Sequence, residues 1–108
     1  MDWILDSYSF TYLSIVLHAP ARPGIYLLRT SARCVYIGET ENIRKSLLAY
    51  LHGDDPWITV WAPSRFSFEL CSDASRAQLR DQLSARLQPV IANHDRVMAA
   101  PELNAAAL

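Results

Sequence analysis

The chain has 108 residues, 51% of them apolar and only 3 of them glycine, which fits one folded domain and excludes a low-complexity or disordered polypeptide. Ten basic residues against eleven acidic ones leave a formal net charge of −1, so no general field draws the molecule to nucleic acid or to a membrane. No apolar run approaches the roughly 18 residues of a membrane span, and Met1-Asp2-Trp3-Ile4-Leu5-Asp6 lacks the basic start of a signal peptide. Cys34 and Cys71 lie in apolar patterns without metal-ligand spacing and read as reduced core residues. A cytoplasmic protein without membrane contact is the expectation.

From the N-terminus, residues 1–21 read as a cap segment. Tyr8, Phe10 and Tyr12 alternate before the pattern becomes continuously apolar, which predicts an extended stretch followed by one or two helical turns. Pro20 and Pro23 then force an irregular connection. Ile25-Tyr26-Leu27-Leu28 and Cys34-Val35-Tyr36-Ile37 are strand-like runs separated by the short Ser31-Ala32-Arg33 turn, the pattern of a hairpin. Alternation puts Tyr26 with Leu28 on one face and pairs Cys34 with Tyr36 against Val35 with Ile37, so the two tyrosines can lie side by side. Thr40-Glu41-Asn42 supplies cap oxygens for a helix carrying Ile43, Leu47, Leu48 and Leu51, and Gly53 is its C-terminal cap candidate.

Trp57-Ile58-Thr59-Val60-Trp61, if extended, places both tryptophans on one face, either as cover for the sheet or as an aromatic surface for a base or a partner. Arg65 to Cys71 is the clearest strand, with Phe66, Phe68 and Leu70 expected inward and Ser67 and Glu69 outward. Leu79, Leu83 and Leu87 mark a second long helix closed by Pro89. The Ala-rich residues 94–108 form a C-terminal extension.

Gly24-Ile25-Tyr26 and Tyr36-Ile37-Gly38, with the helix that follows and a later helix ending at Pro89 and Asn93, resemble the GIY-YIG nuclease family over roughly residues 22–93. The resemblance implies a single α+β domain: a three-stranded, mostly antiparallel sheet flanked by helices. It also implies phosphodiester hydrolysis in active members, in which a tyrosine or histidine helps to activate water, an arginine stabilises the phosphate, and a glutamate holds one divalent metal. Tyr26 and Tyr36 match the motif tyrosines, and Tyr50 falls where many members place a Tyr or His. The family's arginine position, ten residues after Tyr36, is Ser46 here.

Glu39 stands directly after the second motif, where the family's excision-repair nuclease carries a basic residue close by. The glutamate position is Arg80 when counted from Pro89 and Asp81 when counted from Asn93. The leucine stripe favours Arg80. A guanidinium has donors and no acceptor, so it cannot ligate a cation, although it could take the place of the metal's charge and bind an anion.

The reading is therefore a nuclease-fold protein without metal-dependent cleavage, acting as a nucleic-acid-binding or interaction module and needing no cofactor. Glu39, Arg44, Lys45 and Asn93 are its candidate nucleic-acid positions, because the basic residues from Arg22 to Lys45 outnumber Glu39 and Glu41 by three. One alternative is an active Mg²⁺- or Mn²⁺-dependent endonuclease with relocated groups, Asp81 on the metal and Arg44 or Lys45 on the phosphate. A protein-binding domain using Trp57 and Trp61 or the N-terminal segment is the other.

Overall fold

The computed structural model describes residues 7–91. Its elements are β1 (Tyr8–Ser9), α1 (Tyr12–His18), β2 (Gly24–Arg29), β3 (Cys34–Thr40), α2 (Ile43–Leu51), α3 (Pro56–Thr59), β4 (Arg65–Leu70) and α4 (Asp73–Leu87). Asn93, the Ala-rich stretch and Met1–Asp6 lie outside the described residues.

The α+β class is as the resemblance implies, but the sheet has four strands, in the order β1-β4-β2-β3, all antiparallel. The additional strand is two residues long, pairing Tyr8 with Phe66 and Ser9 with Arg65. It is too short for its own periodicity to announce it.

The central strand β2 buries Gly24 through Leu28, because helices cover both faces of the sheet. On one face Tyr26 and Leu28 pack with Ile15 of α1, Ile43 and Leu47 of α2, Ile58 of α3, and Phe66. On the other, Ile25, Leu27 and Ile37 meet Leu83 of α4, with Leu79 and Leu87 partly buried beside it. Each fully buried Ile, Leu or Phe stabilises such a core by about 1.5–3 kcal/mol.

Covering both faces overturns the in-and-out assignment for β4. Ser67, expected outward, is fully buried, whereas Leu70, expected inward, is 39% exposed at the strand's end. The hairpin alternation also breaks once. Register shifts between Leu28 and Arg29, so Leu28 faces Tyr36 while Arg29 faces Cys34. The bulge turns Val35 into the α2-side core and Cys34 toward α4.

Trp57 to Trp61 is not extended. Asp55 accepts a hydrogen bond from the Trp57 N–H at 3.1 Å and Pro56 occupies the first turn, which starts the short helix α3. Helix α2 starts where its cap predicts, the Asn42 side chain accepting from Lys45 N at 3.0 Å. It stops just before Gly53, whose φ of 84° suits glycine. Among the described residues no helix is long and apolar enough to cross a membrane.

Candidate functional site

Two adjacent strands and one helix assemble the tyrosines. Tyr26 and Tyr36 share a face of the hairpin, and α2 passes over that face to bring in Tyr50. The Tyr26 and Tyr50 hydroxyls lie 2.6 Å apart. Ring centroids are 6.1 Å apart for Tyr26–Tyr36, 5.7 Å for Tyr26–Tyr50 and 6.3 Å for Tyr36–Tyr50.

Gly38 makes this packing possible, since it pairs with Tyr26 across the strands. A Cβ there would strike the Tyr26 ring and stand 2.8 Å from Cε2 of Tyr36. Tyr26 is almost wholly buried, and burial first, then the neighbouring Tyr50 and Tyr36, hold its phenol well above the usual tyrosine value. Tyr36 and Tyr50 are the half-buried members.

Ser46, on the same side of α2 as Tyr50, shares a 2.7 Å hydrogen bond with the Thr40 hydroxyl. Thr40 in turn accepts from Asn42 N at 3.1 Å. Arg80 is committed to carboxylates of its own chain. Its Nη1 contacts Glu39 Oε2 at 2.8 Å and its Nη2 contacts Asp81 Oδ1 at 3.1 Å. Glu39 thus meets α4.

Arg76, one helical turn before Arg80, is a further member of this cluster that no motif spacing marks. This arginine is 5% exposed and donates to the Thr40 carbonyl, to Glu41 Oε2 at 2.7 Å, and to Asp73. A signal was present, because Arg76 continues the Leu79–Leu83 row toward the helix start and so falls on the buried side. Glu39, Glu41, Asp73 and Asp81 set four carboxylates against the guanidiniums of Arg76 and Arg80, an acidic excess of two formal charges.

Arg44 and Lys45 are not drawn into this cluster. Successive helical residues turn by about 100°, which sets Arg44 about 160° and Lys45 about 100° from Ser46 around α2. Arg44 Nε donates to the Ala19 carbonyl at 2.9 Å, and both residues line a groove on the far side of the helix. The tryptophans do not form one surface. Trp57 packs against the core, while Trp61 is 41% exposed with the Arg33 guanidinium 5.8 Å from its ring centroid.

A divalent cation requires converging oxygen ligands. Among the described residues no three His, Cys, Asp or Glu side chains converge in that way. The carboxylates nearest Arg80 are already bonded by its guanidinium, so this donor set does not fit a metal.

A four-stranded antiparallel sheet carries the tyrosine cluster between its central hairpin and the following helix. Solved structures share this fold. The N-terminal GIY-YIG endonuclease domain of UvrC from Thermotoga maritima, bound to magnesium as its catalytic cation, superposes with a TM-score of 0.62 at 18% identity. The match covers 72% of this chain and 91% of that one. A point mutant of the same domain gives the same score, 18% identity and coverage of 72% and 90%.

The UvrABC system protein C of Aquifex aeolicus (strain VF5) is 36% identical over 42 residues, 39% of this chain and 7% of that protein. The chain therefore spans only a small part of that relative. No protein-family model matches. With both motif tripeptides in place, the chain has the fold of these GIY-YIG endonuclease domains.

Proposed function

We propose that this chain is a GIY-YIG-fold binding module whose cleavage machinery has been replaced by internal polar contacts. The observation that carries this reading is the Arg80–Glu39 ion pair, supported by the Ser46–Thr40 hydrogen bond. By the motif's spacing, Ser46 stands for the phosphate-stabilising arginine and Arg80 for the metal-binding glutamate. One lost transition-state donor alone costs about 10²–10³ in rate, and a guanidinium supplies no metal ligand. The tyrosine cluster then serves the scaffold, holding α2 against the hairpin. Nucleic acid is the ligand class favoured by likeness to an endonuclease domain. Cys34 and Cys71, both free thiols, fit a reducing, cytoplasmic setting.

The test is incubation of the purified protein with plasmid, single-stranded and branched DNA in Mg²⁺ or Mn²⁺. No cleavage is expected. Reproducible cleavage abolished by Asp81→Ala would establish an active nuclease with relocated groups. A protein partner is a second reading, favoured by α1, which leaves Leu13 65% and Leu17 66% exposed. It predicts loss of the complex on Leu13→Glu with unchanged folding.

A further inference from the structure

We propose that the anion-binding surface of this domain is the groove along the far side of α2, and that it takes a chain of phosphates. This inference rests on the binding-module reading and specifies where and what the module binds. The two sides of α2 differ in charge. On the Ser46 side, Thr40 links the helix to the Arg76–Glu41–Asp73 network, and Glu39, Arg80 and Asp81 lie beyond it, so that side carries the acidic excess. Phosphate approaching there meets more carboxylates than guanidiniums.

On the far side Arg44, Lys45 and His52 line a groove of about 530 Å³, with Ala21 from the connection into β2 on its other wall. Among the described residues, Asp54 is the one acidic residue that lines it. Arg44 is anchored through Nε to Ala19, which fixes its guanidinium, and no described residue pairs with its Nη groups or with Lys45 Nζ. Fixing a guanidinium before the ligand arrives lowers the entropy lost on binding.

The start of α2 contributes nothing to this site. Ile43 N and Arg44 N donate to the carbonyls of Arg22 and Pro20, and Lys45 N to Asn42 Oδ1. Recognition is left to side chains. Arg44 and His52 are eight residues apart, about 12 Å along the helix. The backbone of a nucleic-acid strand or a free polyphosphate has the length to run along that spacing.

The 108-residue chain, titrated with a labelled 12-nucleotide single strand and separately with tripolyphosphate at low salt, decides the matter. Expected are amide shifts confined to residues 42–54 and Ala21, and at least tenfold weaker binding by the exposed Lys45→Glu variant. Arg44→Ala should weaken binding and flatten the salt dependence, while Arg80→Gln should not weaken it. Sensitivity of the oligonucleotide to these variants identifies a nucleic-acid strand as the occupant. The same sensitivity for tripolyphosphate alone identifies a free polyphosphate. Binding that ignores Lys45→Glu but is lost with Arg80→Gln would overturn the groove and return the ligand to the tyrosine side. Absence of binding by either probe would overturn it outright. Metal-dependent cleavage with groove binding intact would instead overturn the functional reading and leave the groove standing.

Discussion

Arg80 on α4 holds Glu39, just after the second motif tripeptide, at 2.8 Å, tying the end of the hairpin to the helix behind it. Both side chains are about one-third exposed, 36% and 33%, so solvent screens much of their attraction. Such a pair contributes about 0.2–1 kcal/mol. Arg80→Glu alone and Glu39→Lys alone should each destabilise the domain by about 1 kcal/mol, through lost attraction and new repulsion. The double swap should recover most of it. Urea unfolding of the four proteins as a double-mutant cycle measures the coupling, and a coupling of zero would show the contact to be incidental.

Restoring the donor set is a harder test of the site assignment. Ser46→Arg with Arg80→Glu should create divalent-cation affinity, because Glu39 and Asp81 already lie within hydrogen-bond reach of Arg80 and a carboxylate at that position would complete three acidic ligands. Both replacements are good helix formers. Calorimetry with Mn²⁺ should show binding absent from the unaltered protein and weakened again when Glu39→Lys is added. Equal Mn²⁺ affinity in the folded double variant and its parent would count against Arg80 as the metal position.

Tyr26 gives the domain an alkaline weakness. Its pKa is raised in the folded state, chiefly by burial. Its contribution is therefore fully present below the unfolded value of about 10 and is lost as pH rises from there toward the folded one. Between these limits stability should fall by up to about 1.4 kcal/mol per pH unit for this one proton. Tyr26→Phe should cost about 0.5–1.5 kcal/mol at pH 8 through the lost contact with Tyr50, and should flatten the alkaline slope by one proton. Urea midpoints between pH 8 and pH 11 provide both numbers.

Gly38 admits no side chain, because the Tyr26 and Tyr36 rings lie against its Cα. Gly38→Ala should destabilise by about 1–3 kcal/mol through overpacking. Near-ultraviolet circular dichroism should report the displaced tyrosines before the domain unfolds.

Burial pushes the Cys34 thiol up to about 11. At pH 8 this leaves about a hundredfold fewer thiolates than an ordinary cysteine has, partly offset by the greater nucleophilicity of a more basic thiolate. Alkylation of Cys34 by iodoacetamide should be about tenfold slower in the folded than in the unfolded protein. Mass spectrometry of quenched time points resolves it from Cys71.

Local chemistry in the sequence was enough to specify the hairpin, a cap for α2 within Thr40-Glu41-Asn42 and the shared face of Tyr26 and Tyr36, because strand alternation and helix caps act over a few residues. The Asp55-Pro56 start of α3 was equally local, and the Trp57–Trp61 alternation obscured it. Tertiary structure alone decided the pairing of Tyr8–Ser9 with β4, the bulge that sends Cys34 and Val35 to opposite cores, and the burial of Ser67. Each depends on which distant element covers a face, and no period along the chain records that. The site follows the same division. Spacing singled out Glu39, Ser46 and Arg80 one by one, but only the docking of α4 against the end of β3 joins Glu39 to Arg80 and buries Arg76 beside Thr40. An ion pair is set by where two elements meet in space, while sequence spacing sets only where each residue stands on its own element.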